Sequence, residues 1–352
     1  MFALSSIKAR CVTALAVATT ALVTSHGAVA QQPKKLIVAQ SSLSMNFVPM
    51  YIAEQAGFFR DEGLTLDITL VGGGPKAMSA LISGSAELAI AVLSDGINVH
   101  RKGLKDVKAI AALLNGYPSG ITVNSAIVKK KGVDLNAPLA ERAAALKGLK
   151  IGITTPGSFS DFMARQAVTQ HGMNPDRDIE LVPVGGYDTM LAAFRAGRID
   201  ACVCIPPADQ LLIQEGAAVD LIEAKRDFAG MRDVPVGIAY TTGTIIGKKR
   251  DEIERFMRAI ARAEALMARD PTAAERATKA VMSKMSPETF AMMWPVFKPL
   301  VATDPEISAS GYEKELALQK IVLPPEQSAP VQFEDLVDTS LARAAKAAVG
   351  SK

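Results

Sequence analysis

The apolar and polar positions of the chain follow one order twice. In residues 70–92, LVGGGPKAMSALISGSAELAIAV, a strand end leads into a glycine turn, an amphipathic helix, a glycine stop and a continuous apolar run. Residues 183–205, PVGGYDTMLAAFRAGRIDACVCI, repeat that order and align with the first stretch without a gap at an offset of 113 residues. Val71 matches Val184, Gly72 and Gly73 match Gly185 and Gly186, Ala80 matches Ala193, Gly84 matches Gly197, and Glu87 matches Asp200. Self-similarity at a fixed offset marks a duplicated unit. Continuous apolar runs of this length fit strands buried on both faces of a parallel sheet.

The likeness continues upstream. KKLIVAQSS (34–42) and LKIGITTPGS (149–158) are short apolar strands that end in hydroxyl-rich loops. A helix follows each, over about 48–62 and 160–171, and stops near Gly63 or Gly172 before another strand. The unit is β-α-β-α-β, present twice, and the expected fold class is α/β with two similar lobes. ITVNSAIV (121–128) is expected to be a strand crossing between lobes, and VGIAYTTGTII (236–246) a strand returning. Two crossings make the first lobe discontinuous, 31–122 plus 241–352, and the second continuous, 123–240, with a hinged cleft between them. Most of the remainder is helical: residues 251–271 have apolar positions at helical spacing and stop at Pro271, and LPPEQSAP breaks the chain before a last helix over about 332–348.

The N-terminus follows a different pattern. Lys8 and Arg10 precede the apolar stretch CVTALAVATTALV, and Ala28-Val29-Ala30 places small residues before Gln31. That is the form of a secretory signal peptide, residues 1–30, cleaved after Ala30. The alternative, a membrane anchor, needs about 20 apolar residues and the run is well short of that. Cleavage removes two basic and no acidic residues, so the formal charge falls from +3 to +1. Nothing in that balance calls for nucleic acid or an anionic membrane, which need concentrated basic surface.

Cys202 and Cys204 are the two cysteines beyond the N-terminal segment, and they sit in IDACVCIPP, an expected buried strand. Residues i and i+2 of a strand share a face but stand too far apart for a disulfide, so both are expected to be small buried hydrophobes. His100 and His171 are isolated in sequence. No metal or redox cofactor is expected.

In open α/β sheets, ligands settle beyond the carboxyl ends of the strands. The first lobe offers Ser41, Ser42 and Asn46, then Gly73 and Gly74, then Ser94 and Asp95. The second offers Ser158 and Ser160, then Tyr187, with Pro206-Pro207 nearby. Helix starts at these loops present free N–H groups and suit anions, and serine hydroxyls can donate to a carboxylate or sulfonate. Glycine admits backbone close to a ligand, and Pro75 suits the first helical position. Each of these residues is also an ordinary turn or capping residue. Asp95 is either a partner for a cationic group or a cap on the helix beginning near Gly96. Tyr117 and Tyr240 are either a flat cleft wall or core.

The stretch FVPMYIAEQAGFFRDEGLTLDITLVGGGPKAMSALISGSAELAIA resembles the nitrate/sulfonate/taurine family of ABC-transporter substrate-binding proteins, which also takes in binders of thiamine-pyrimidine precursors. The residues that carry it are Pro49, Tyr51, Ala53, Gly57-Phe58-Phe59, Glu62-Gly63-Leu64, Ala80-Leu81, Gly84 and Glu87-Leu88-Ala89, with Glu87 where Asp is usual. The likeness covers about residues 35–245. It implies a periplasmic binding protein type II-like fold, two lobes joined by two crossover strands, in a monomer of the periplasm. It also implies a small solute, anionic or zwitterionic, as ligand and an inner-membrane ABC permease as partner.

Two other functions fit the same fold. Some members of the family are enzymes, desulfinases or pyrimidine synthases that depend on cysteine, but here the loop after the first strand is Ser41-Ser42. A serine nucleophile would need an adjacent base. A ligand-loaded partner of a membrane sensor would use the same capture step. Two glycine-rich strings are coincidental. Gly72-x-Gly74-x-x-Ala77 follows the second strand of its unit rather than the first, and the 243–249 string lacks the hydroxyl residue of a phosphate loop.

Overall fold

The computed structural model describes residues 33–350 apart from 205, 228–231, 324 and 326–327. The expected signal peptide, residues 1–30, lies outside the described residues. Among the described residues ten strands form two five-stranded sheets. In the first, β1 (Lys34–Gln40) lies between β2 (Leu64–Leu70) and β3 (Leu88–Val92), parallel to both. β10 (Pro235–Thr242) then runs antiparallel between β3 and β4 (Val107–Asn115). In the second, β6 (Lys150–Ile153) lies between β7 (Glu180–Pro183) and β8 (Ala201–Cys202), parallel to both. β5 (Ile121–Asn124) runs antiparallel between β8 and β9 (Ala218–Ile222).

The duplication holds to the level of register. Val38 pairs with Ile68 and Leu88, and Ile151 pairs with Leu181 and Ala201. Each residue of the second set stands 113 positions after its counterpart, the same offset as in the sequence. The fourth place in each sheet is filled by a strand from outside the repeat, β10 in one and β5 in the other. The chain therefore passes from the first sheet to the second between Asn115 and Ile121, and returns between Ile222 and Pro235.

Two expected strands prove shorter, for one reason. The 121–128 strand stops at Asn124, whose Oδ1 accepts from the Ala126 N–H and starts the helix Ser125–Lys131. The 236–246 strand stops at Thr242, whose Oγ1 accepts from the Ile245 N–H and starts the helix Gly243–Lys248. In both a capping side chain satisfies an orphan helix donor, and the apolar pattern continues across the cap without showing it.

The motif Gly57-Phe58-Phe59 is explained by packing. Gly57 has φ of 75°, a left-handed conformation that turns the chain out of the helix Val48–Gln55. Phe59 then stacks on Phe256 at 5.7 Å between ring centroids, and the Arg262 guanidinium covers Phe58 at 4.3 Å. Phe256 belongs to the helix Arg250–Arg269, which buries Ile253, Phe256, Met257 and Ile260 along one stripe. Each such side chain contributes about 1.5–3 kcal/mol on burial. These contacts join the C-terminal helices to the first sheet, away from the strand ends where the candidate site lies.

Candidate functional site

A cavity of about 710 Å3, including its open mouth, lies beyond the carboxyl ends of β1, β3, β6 and β8. The first sheet lines it with Ser41, Ser42 and Asn46 after β1, Gly73 and Gly74 after β2, and Asp95 after β3. The second sheet contributes Thr154, Ser158 and Ser160 after β6, Gly186 after β7, and Cys204 and Pro206 after β8. Both repeats thus present their strand ends to one space, the position in which α/β sheets hold ligands.

The Ser41–Ser44 loop is held by a residue set back from the cavity. The Tyr51 hydroxyl donates to the Ser44 carbonyl at 2.9 Å and accepts from the Ser44 N–H at 3.1 Å and from Gln40 Nε2 at 2.9 Å. Gln40 Nε2 also donates to the Ser42 carbonyl at 2.7 Å. Tyr51 is the aromatic position of the motif that carries the family resemblance. It comes from the helix Val48–Gln55, which follows the loop directly. The Ser44 Oγ in turn accepts from the Asn46 N–H, which fixes the backbone of a lining residue.

Asp95 is 3% exposed and lies in the first turn of the helix Leu93–Arg101. Its Oδ2 accepts from the Val92 N–H at 3.2 Å, while Oδ1 has no partner among the described residues. The capping reading holds for one oxygen of this side chain, and the other is buried without a partner among the described residues. Burial pushes its carboxyl up to about 7, partly offset by the Val92 bond. Asn46 Oδ1 is a second buried acceptor without a partner among the described residues.

On the opposite wall three hydroxyls satisfy one another. Thr154 Oγ1 donates to Ser158 Oγ at 2.7 Å, and Ser160 Oγ lies 2.9 Å from Ser158 Oγ and 3.0 Å from Thr154 Oγ1. Ser160 Oγ also accepts from the Thr154 N–H at 2.8 Å. Ser158 is the N-cap of the helix Phe159–Thr169, and Asp161 accepts from the Gly157 N–H at 2.7 Å. The Asp161 N–H in the first turn of that helix is met by the Ser158 Oγ.

Four residues expected at the cleft do not line this cavity. Tyr240 is fully buried behind the wall, where its hydroxyl donates to the Val92 carbonyl at 2.8 Å. Tyr117 donates to Glu315 Oε2 at 2.5 Å and stacks on Phe159, which does line the cavity. Ser94 is buried beside Asp95, and Tyr187 opens the helix Tyr187–Arg195 outside the lining. Conversely, Phe47, Pro118, Ser119 and Val203 line the cavity without having been singled out. Pro118 and Ser119 lie in the break NGYPSG, where the tyrosine drew attention and its small neighbours reach the space. Phe47 and Val203 look like ordinary core positions in the sequence.

The cysteines correct an expectation. Cys202 and Cys204 form a disulfide with their Cα atoms 5.0 Å apart. Two residues of strand rise about 6.6 Å, but β8 ends at Cys202, and the chain leaves the extended form before the cis Pro206–Pro207 bond. Among the described residues no cluster of three or more His, Cys, Asp or Glu could hold a metal ion. His100 is buried with Nε2 2.7 Å from the Val107 carbonyl, away from the cavity. None of the described lining residues is Lys, Arg or His. No helix among the described residues is long and apolar enough to cross a membrane.

Known proteins share this architecture. YtlA of Bacillus subtilis, named as a candidate binding protein, is 24% identical over 230 residues, 65% of either chain. The matches cover less than two thirds of the curated relatives' lengths, 29% and 36% for two others. The alkanesulfonate-binding protein SsuA from Xanthomonas axonopodis pv. citri, solved with MOPS, superposes with a TM-score of 0.68 over 88% of this chain and all of that one, at 18% identity. The desulfurization enzyme DSZB superposes with a TM-score of 0.60 over 90% and 99% of the two chains, at 14% identity. At these identities the structures show the fold, that of periplasmic binding proteins. The NMT1-like family model matches residues 21–282, and the chain belongs to that family.

Proposed function

We propose that the protein is the solute-binding component of an ABC importer, which captures a small organic solute by closing two lobes over it. The observation that carries this reading is a cavity lined from both repeats at the carboxyl ends of their parallel strands. A ligand touching both walls favours the closed arrangement, so occupancy shifts the hinge equilibrium. The two lobes, each built on one of the two sheets, would turn about the chain crossings that precede Ile121 and Pro235. Ser41, Ser42, Asn46, Gly73, Gly74, Asp95, Ser158 and Ser160 are the ligand positions on this reading, and Tyr117 and Tyr240 support the wall from behind.

The fold of SsuA and the N-terminal pattern of residues 1–30 support export to the periplasm with cleavage after Ala30, and docking of the monomer on an inner-membrane permease. The likeness to DSZB keeps an enzyme in view. Against it, the cavity's cysteine sulfur is tied in a disulfide, and no imidazole lines the wall to activate Ser41 or Ser42 among the described residues. A partner of a membrane sensor would use the same capture step.

The test is thermal melting of the mature protein, unfolded and refolded to strip carried ligand, against a panel of small solutes. A ligand at a hundred times its dissociation constant stabilises by about 2.7 kcal/mol, a shift of a few degrees. A saturable shift with the compound recovered intact supports capture, and recovery of an altered compound favours the enzyme. Silence across a broad panel counts against solute capture.

A further inference from the structure

We infer that the bound solute carries a cationic nitrogen with N–H donors, a primary ammonium or an amidinium, and presents it to Asp95. This inference rests on the solute-binding reading and names the chemistry of the ligand. Asp95 is the one charged side chain among the described residues that line the cavity, and its Oδ1 is buried with no partner among the described residues. Buried polar atoms are satisfied in the great majority of proteins, and a buried charge is paired. The wall supplies no partner, so the solute supplies it. Asn46 Oδ1, without a partner among the described residues, is a second acceptor in the same wall. The hydroxyls of Thr154, Ser158 and Ser160, which could have served an anion, are occupied with one another.

The rest of the lining agrees. Phe47, Val92, Phe159 and Val203 give the cavity apolar walls, suited to the carbon part of an organic cation. In such surroundings a charge-assisted N–H to carboxylate bond is about twice as strong as a neutral one. Without a counter-charge the Asp95 carboxyl is pushed up to about 7 by burial, as expected of an acid whose partner arrives with the ligand. Tyr240, behind it, donates its hydroxyl to the Val92 and Leu93 carbonyls and offers Asp95 no cation.

The experiment is titration calorimetry on the mature, ligand-stripped protein with isosteric pairs, acetamidine against acetamide and benzamidine against benzamide, beside nitrate, bicarbonate and methanesulfonate. The expected result is saturable binding of an amidine, at least tenfold tighter than its amide, with the anions silent. Asp95→Asn, which keeps the acceptor for the Val92 N–H, should weaken the amidine at least tenfold while melting within a few degrees of the parent. If that variant fails to fold, the amidine-to-amide ratio on the parent still decides. Anion or amide binding that Asp95→Asn leaves unweakened overturns the cationic ligand and leaves solute capture standing. No saturable binding by any probe counts against both.

Discussion

Gly74 and Asp95 compete for the same space: a Cβ on residue 74 would lie 1.8 Å from Asp95 Oδ2 and 2.6 Å from Oδ1. Glycine is therefore required here by its neighbour, in addition to any approach of ligand to backbone. Gly74→Ala should push the carboxylate away from the Val92 N–H and cost about 1–3 kcal/mol, the usual range for overpacking. Denaturant unfolding measures the loss, and solute binding should weaken by more than the stability change alone would give. An alanine variant with unaltered stability and binding would contradict the packing.

Tyr51→Phe tests whether the first loop is held from behind. Removing the hydroxyl leaves the Ser44 N–H and carbonyl without that partner in a buried setting. A buried group left unsatisfied costs about 1–3 kcal/mol. The variant should unfold at lower denaturant with an unchanged slope, and bind solute more weakly although Tyr51 is not a lining residue.

Stability should fall as pH rises from about 6.5 to 8. Burial pushes Asp95 up to about 7 and Asp209 up to about 8, and the Asp220 charge adds to the second. In the unfolded chain both are already ionised in this window, so the folded state binds more protons and loses that advantage as pH rises. His100 and His171 are held below their ordinary value, mainly by burial, and act in the opposite sense, but only below about 6.5. Melting temperature against pH should therefore decline over the upper window, and Asp209→Asn, away from the cavity, should flatten the decline.

Ser158→Ala removes the N-cap of the helix Phe159–Thr169 and a member of the hydroxyl triad. The expected cost is about 0.5–2 kcal/mol of stability, read by chemical unfolding. Ser160→Ala should cost a similar amount, because the Thr154 N–H then loses its acceptor.

The architecture was legible because a duplicated apolar pattern constrains strands, helices and their order at once. Residues 113 apart in sequence hold equivalent places in the two sheets. What the pattern hid were side-chain caps such as Asn124 and Thr242, which end a strand while the apolar sequence runs on. At the site, the polar loops were readable from Gly, Ser and Asp, but Phe47 and Val203 were not, since a wall residue and a core residue have the same chemistry. Tyr117 and Tyr240 failed as wall residues for a related reason: each hydroxyl found a buried acceptor, Glu315 or the Val92 carbonyl. The charge of the cavity could be judged only once Asp95 was seen without a cation beside it.

The crossing of the chain bears on how the molecule is made. All five strands of the second sheet lie between Ile121 and Ile222, but β4 of the first pairs with β10, which begins at Pro235, and its single bridges are to Val301 and Val337, later still. As the chain emerges N-terminus first, β4 waits as an unpaired edge while more than a hundred residues follow it. The later-encoded sheet can complete its hydrogen bonds first, and the earlier one closes only when β10 arrives. Any nascent chain stalled before Pro235 carries one finished sheet and, in the other, β3 and β4 without the strand that joins them, and those edges are where holding factors and aggregation would compete.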